Sequence, residues 1–288
     1  MNKLPATKRI QVLHSLVEGN SLRATARMAD VSFNTTAKLF VDAARACLDY
    51  QDRTLRNLPC RRLQLDEIWS FVYSKQKNIP SNKIGSAGDI WTWLAIDADT
   101  KLVPSWRVGD RSLHTARDFV DDLASRLTNR VQITTDGHRP YLEAIEGAFG
   151  ADVDYAMLVK LYGADPAGEK RYSPAECIGI RKTRIEGSPD PNHISTSFAE
   201  RNNLTMRMSI RRFTRLTNAF SKKIENHALS VALHYMNYNF CRLHKTLRIT
   251  PAMAAGVTNH AWSIAEVVTM LERWEETQEA KNNTKSAA

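Results

Sequence analysis

The chain has 288 residues, of which 43% are hydrophobic and 25% charged, ordinary proportions for a folded protein with a real core. This composition excludes a disordered, collagen-like or disulfide-stapled chain, and the length allows about two domains. Forty Lys and Arg against 31 Asp and Glu give a net charge of +9, which points to a polyanionic partner without naming it.

Residues 7–18 place Ile10, Leu13, Leu16 and Val17 on one helical face, and Gly19-Asn20 ends that helix. Ser21 is placed to cap a second short helix, LRATARMA, with Leu22, Ala26 and Ala29 facing inward. Asp30-Val31-Ser32 turns the chain, and Ser32 is placed to cap a third helix that opens FNTT and runs to Tyr50. Two short helices about a tight turn, with small residues where helices meet, form the pattern of a helix-turn-helix. On that reading residues 1–51 are a DNA-binding domain, and Asn34, Thr35, Thr36 and Lys38 face a major groove. A plain three-helix bundle uses the same periodicity, and no single residue here separates the two.

Residues 52–62 read as a linker punctuated by Pro59. Arg62–Tyr73 is then rich in strand formers around one acidic pair, and Asp89–Val108 reads as two strands joined by a turn at Asp97–Thr100. Leu113–Leu127 is an amphipathic helix, Val131–Thr135 a short strand, Pro140–Phe149 a helix and Asp154–Leu161 a strand. That order predicts an α/β domain with a mixed sheet. Residues 162–193 lack sustained periodicity and read as a long loop or insertion. Helical patterning resumes from Ser197 to Thr217, returns from Lys222 to Phe240, and spans Ile264–Glu276 at the end, with the last dozen residues expected to be disordered. The domains so drawn are 63–250 for the α/β part and 251–288 for a helical C-terminal extension and tail. The aromatic set Trp69, Phe71, Trp91, Trp93 and Trp106 alternates along strands and reads as core.

Cys47, Cys60, Cys177 and Cys241 lie far apart, form no C-x-x-C pair, and fit neither zinc spacing nor a disulfide framework. No apolar run approaches membrane-spanning length and the N-terminus has no apolar signal region, so a cytosolic protein without membrane association is expected.

Charge is unevenly spread: residues 1–62 carry +6, 63–180 carry −4, 181–248 carry +9 and the remainder −2. An acidic centre thus lies between two basic segments, the pattern of a carboxylate-bearing site flanked by phosphate-gripping surfaces. Asp66 lies within the first predicted strand, Asp136 just past the end of the fourth, and Glu200 on a later helix. Three carboxylates from separated elements suit Mg²⁺, which takes few protein ligands and completes its shell with water and substrate phosphate. Two such ions about 4 Å apart can activate a water or a 3′-hydroxyl and stabilise the leaving oxygen of a phosphodiester. Glu67 competes with Asp66, although strand alternation is expected to put only one of them on a given face. Asp97 competes too, but a turn accounts for it, and His138 could orient water or phosphate or be an ordinary loop residue.

LDEIWSFVYSKQKN, TTDGHRPY and ERNNLTMRMSIRRFTRLTNAFSKKIENH resemble the three blocks of insertion-sequence-one type transposases, within the group that has an Asp-Asp-Glu catalytic triad. The third block is the most specific, because Glu200, Asn203, Arg207, Arg211, Arg212, Phe220, Ser221 and Lys222 fall where that pattern has similar residues. YNFCRLHKTLRITPAMAAG resembles the ending of many insertion-sequence transposases, and the likeness spans about residues 63–256. It implies an RNase H-like core, with Asp66, Asp136 and Glu200 as the metal-binding catalytic triad. It also implies two Mg²⁺ ions with Mn²⁺ as substitute, and double-stranded DNA (terminal inverted repeats and target) as partner. A homodimer or higher oligomer on DNA follows from the need to bring two ends together. The chain departs from the family in lacking paired N-terminal cysteines for zinc. It departs again in the 63 residues between Asp136 and Glu200, and Glu176 and Glu186 there are weaker rivals for the third carboxylate.

In a helix Glu200, Asn203 and Arg207 share one face, and Arg211, Arg212, Arg215, Lys222 and Lys223 follow. Arg suits bidentate phosphate contact, so this run is expected to clamp DNA entering the site. No G-x-x-x-x-G-K-[ST] loop is present, which agrees with a reaction that exchanges phosphodiesters without a nucleotide energy source. The alternatives are a related integrase or nuclease, and an inactive or domesticated DNA-binding regulator that uses the helix-turn-helix alone.

Overall fold

The computed structural model describes residues 3–163, 176–214 and 217–286. Its central element is a six-stranded mixed sheet with strand order β3-β2-β1-β4-β5-β6. The strands are β1 (Arg62–Val72), β2 (Gly88–Asp97), β3 (Ser105–Gly109), β4 (Val131–Thr135), β5 (Val153–Tyr162) and β6 (Cys177–Glu186). β4 runs parallel to β1 and to β5, while β6 returns antiparallel to β5. This architecture agrees with the α/β, mixed-sheet part of the expected fold class. Among the described residues no helix is long and apolar enough to cross a membrane.

The chain divides into two units. One comprises Asn57–Ile68 and Thr92–Asn202. It holds most of the sheet with α4 (Leu113–Ala124) and α5 (Pro140–Phe149), which pack on each other. Leu65, Leu94, Ile133, Phe119 and Val120 are fully buried there. The β-formers of β1, β2 and β4 account for this, since a strand buried on both faces reads as a near-continuous apolar run. Ser112 caps α4 by accepting from the Thr115 amide, and Pro140 opens α5, where its missing N–H costs nothing.

The other unit comprises the chain up to Arg56, Trp69–Trp91 and the residues from Asn203 on. Its helices are α1 (Ala6–Val17), α2 (Leu22–Ala29), α3 (Phe33–Thr54), the end of α6 (Ser197–Ser209), α7 (Ile224–Met236), α8 (Pro251–Ala254) and α9 (Ile264–Ser286). Both expected caps are present: Ser21 accepts from Ala24 N–H at 3.1 Å and Ser32 from Thr35 N–H at 3.1 Å. Ala29, Ala43 and Ala44 are fully buried, so small side chains let α1, α2 and α3 approach closely.

Four expectations from sequence need correction. Within the predicted loop at 162–193, β6 occupies ten residues. Its side chains are nearly all exposed, so the edge strand has no buried face to leave a period-2 signal. α3 continues to Thr54, into the expected linker. The helix from Ser197 stops at Ser209 and gives way to a 3₁₀ turn at Arg211–Phe213, so the basic run is not one helix with Glu200. The supposedly disordered tail is helical to Ser286, and Lys3, ahead of α1, pairs with Glu279 in it at 3.0 Å, while Arg9 of α1 pairs with Glu272 and Glu275 just before it.

Candidate functional site

The register of β1 against β4 pairs Arg62 with Gln132, Leu63 with Ile133 and Gln64 with Thr134. Carried two residues on, it sets Asp136, just past the end of β4, level with Asp66 in the middle of β1. Oxygens of Asp66, Glu67 and Asp136 lie within 4.8 Å of one another. Each aspartate also receives a nearby amide: Glu67 N–H donates to Asp66 Oδ1 at 2.8 Å, and His138 N–H to Asp136 Oδ1 at 2.8 Å.

Glu67 belongs to the cluster, against the expectation that alternation would turn it away. The pleat fixes the direction of Cβ but not of a carboxylate two carbons further out. Arg111 Nε donates to Glu67 Oε1 at 2.7 Å, and the fully buried Tyr141 donates its hydroxyl to Oε2 at 3.1 Å. Sequence reasoning missed Arg111 and Tyr141 altogether, since they lie 44 and 74 residues from Glu67 and carry no local motif.

Crowding has an electrostatic signature. Burial, then repulsion from Glu67, Asp136 and Glu200, pushes the Asp66 carboxyl up to about 7. Glu67 is raised as well, first by burial and then by Asp136, against the opposing pull of Arg111. His138 lies 5.5 Å from the Trp93 ring and 5.9 Å from Tyr141, and burial and Arg111 lower its pKa. It is packed into the site's wall and is not an ordinary loop residue.

Glu200 approaches from α6. The buried side-chain oxygen of Gln64 accepts from the amides of Phe198 at 2.7 Å and Ala199 at 3.2 Å, pinning the first turn of α6 to β1. Gln64 serves as acceptor for amide groups that every helix N-terminus leaves unpaired. Glu200 itself is held by Lys160 Nζ at 2.5 Å and by the Thr196 hydroxyl at 2.7 Å. It therefore contributes charge to the cluster while its oxygens lie on Lys160 and Thr196 and outside the group of three.

Hard oxygen donors of this kind fit a divalent cation such as Mg²⁺ or Mn²⁺. Three buried or half-buried carboxylates repel one another, and positive charge in their midst would relieve the repulsion that raises Asp66.

The expected DNA contacts divide. Asn34, Thr35 and Lys38 are exposed on the first turns of α3, although Lys38 pairs with Asp42 at 2.5 Å. Thr36 is fully buried, its hydroxyl donating to Ser32 O at 3.0 Å, because position 36 shares the inward stripe of α3 with Phe40 and Ala43. It cannot read a base edge. Asn203 and Arg207 lie half-buried one turn apart on α6, and Arg211, Lys222 and Lys223 are exposed. Arg212 turns inward: its guanidinium donates to Ser221 Oγ at 3.0 Å and lies 5.1 Å from the Phe40 ring centroid. Burial lowers its pKa to about 10. Arg215 lies outside the described residues.

No protein-family description and no curated protein matches the chain. Among solved structures it is similar to a piggyBac transposase synaptic complex with hairpin DNA, at 11% identity and a TM-score of 0.40, over 92% of this chain and 69% of that one. It is also similar to the Mos1 mariner paired-end complex with Mn, at 9% identity and a TM-score of 0.26, over 83% and 79%. A pre-cleavage Mos1 transpososome matches at 10% identity and a TM-score of 0.24, over 82% and 79%. At TM-scores of 0.40 and below, these likenesses assign no role to the chain.

Proposed function

We propose that the protein is a DNA transposase that cleaves the ends of a mobile element and joins the freed 3′-hydroxyl to target DNA. The observation that carries the reading is the carboxylate cluster of Asp66, Glu67 and Asp136 on two adjacent parallel strands, with Glu200 brought in on α6. Asp66, Asp136 and Glu200 are the residues that would hold the divalent cations. A divalent cation bound there supplies Lewis-acid activation of a water or a 3′-hydroxyl and offsets charge on the leaving oxygen.

The rest follows from the chain's own groups. Arg111 and Tyr141 fix Glu67, whose charge keeps Asp66 in contest with a proton. Lys160 and Thr196 hold Glu200 at the margin of the cluster. Exposed Asn34, Thr35 and Lys38 on α3 are the readers of the terminal repeat, and Arg207, Arg211, Lys222 and Lys223 grip phosphates, while Thr36 and Arg212 do structural work. Such a protein acts on double-stranded DNA, and as a homodimer or higher oligomer where two ends are paired.

The test is a nicking assay on inverted-repeat DNA with Mg²⁺ or Mn²⁺. Asp66→Asn and Asp136→Asn should each lower cleavage at least a hundredfold while duplex affinity stays within about twofold. Wild-type cutting by both variants sinks the triad, and sequence-specific binding by a parent that never cuts assigns the protein to the DNA-binding regulators instead.

A further inference from the structure

The last turn of β1 and the loop after it carry aromatic residues on the wrong side for a core. Ile68, Ser70 and Val72 are at most 5% exposed, yet the alternate residues Trp69 and Phe71 are only half-buried and Tyr73 is 40% exposed. Phe220 joins them from the segment before α7, so that Trp69, Phe71 and Phe220 form a row with centroids 5.9 and 5.2 Å apart. The row is fixed in place: Tyr73 N–H donates to Ser221 O at 2.7 Å. Behind it the buried His227 ring bridges Ser70 Oγ at 2.9 Å and Ser221 Oγ at 3.0 Å.

Charge surrounds the row. Lys75 Nζ lies 5.7 Å from the Trp69 ring centroid and Lys83 Nζ 5.6 Å from that of Tyr73. Lys77, Lys222 and Lys223 are exposed nearby in sequence. Asp89 is the lone acid between Trp69 and Trp91, and its carboxylate accepts the Gln76 amide at 3.0 Å. An aromatic patch that carries one lysine ammonium over Trp69 and another over Tyr73 matches the chemistry of single-stranded nucleic acid, whose bases stack on rings while its phosphates meet cations. Duplex DNA, its bases stacked on each other, offers nothing to such a patch.

We propose that Trp69, Phe71 and Phe220, with Lys75 and Lys83, form a binding surface for single-stranded DNA. The inference rests on the transposase reading for its purpose, which is to hold a strand separated from its complement at a cut end. β1 carries both Asp66 and, three residues on, Trp69.

The experiment uses the full chain with a fluorescein-labelled oligothymidylate and, in parallel, a mixed-sequence duplex. Oligothymidylate should bind and quench tryptophan emission. Trp69→Ala should weaken that binding about tenfold and leave duplex affinity unchanged, in keeping with the loss of one stacked base. Trp69→Phe should keep the affinity and lose part of the quenching, a result that does not depend on tolerance of the alanine. Lys75→Gln with Lys83→Gln should flatten the salt dependence of oligothymidylate binding by about 0.7 per lysine. Equal affinity in Trp69→Ala and parent overturns the proposal, as does an equal loss for oligothymidylate and duplex. A shift from dimer to monomer in Trp69→Ala without change in DNA affinity overturns it in favour of a contact between copies. A parent that binds oligothymidylate but never cuts duplex DNA upholds this surface and removes only the transposase reading.

Discussion

Asp66 is the residue on which most of the account turns. Its carboxyl is raised to about 7 in the folded protein, above the value near 4 of an unfolded chain. The folded protein therefore binds the proton more tightly, and the stability linked to Asp66 is complete at low pH and lost as pH rises through 7. With chelator present, Asp66→Asn should consequently raise the melting temperature at pH 8, by about 2–4 °C for a chain of this size, and change it little at pH 4. A lower melting temperature at pH 8 would mean that Asp66 is satisfied without a cation. Arg111→Ala should act oppositely, because it leaves the buried Glu67 charge with Tyr141 alone. A loss of about 1–2 kcal/mol in denaturant unfolding is expected at pH 8, with less at pH 4, where Glu67 takes up a proton. That Asp66 and Asp136 lie side by side was legible in the sequence, because one falls in a strand and the other at the end of a strand of the same predicted sheet. Glu67's partners were not, since only folding brings residues 67, 111 and 141 together.

At the scale of elements, boundaries with chemical punctuation were the readable ones. Ser21 and Ser32 cap where the sequence places them, and β4 and α5 begin and end at the predicted residues, set off by Asp136-Gly137 and Pro140. Elements held by distant partners were not readable. β6 is an exposed edge strand with no buried face, and α9 runs past its apolar positions with Glu272, Glu275 and Glu279 meeting Arg9 and Lys3 from the other end of the chain. The aromatic residues show the same divide: Trp93 is fully buried as expected, whereas Trp69, Phe71, Trp91 and Trp106 are half-exposed, because alternation identifies a face and not what covers it. The joint between β1 and α6 gives a direct test. Gln64→Ala removes the acceptor for two amides, so it should cost about 1 kcal/mol, the usual worth of a helix cap. It should also slow cleavage by loosening Glu200 while duplex affinity holds. Unchanged cleavage with the expected loss of stability would show that α6 needs no anchor to place its glutamate.

Across the whole molecule, charge and buried titratable groups set the response to solution conditions. Burial pulls His227 and His234 down to about 3, with Arg212 and Arg242 adding repulsion, respectively. An unfolded histidine binds its proton near pH 6.5. Their contribution to stability is thus complete above pH 6.5 and drains away as pH falls towards 3, the range in which only the unfolded chain is protonated. Unfolding free energy should decline over that window, and His234→Leu, whose Nε2 finds no hydrogen-bond partner among the described residues, should make the decline shallower. Equal slopes in parent and variant would contradict a buried neutral His234. The net +9 of the chain resolves on the same scale: positive charge gathers before residue 63 and between 181 and 248, and the −4 of residues 63–180 includes Asp66, Glu67 and Asp136.

The central claim is that Asp66 and Asp136 hold a divalent cation, and calorimetric titration with Mn²⁺ in the absence of DNA measures this most directly. Saturable binding to the full chain is expected, weakened at least tenfold in Asp66→Asn and in Asp136→Asn. More protons should be released per ion bound at pH 6 than at pH 8, because the cation displaces the proton that Asp66 retains below 7. Binding of Mn²⁺ by both variants as tightly as by the parent, with no proton release at pH 6, would contradict it.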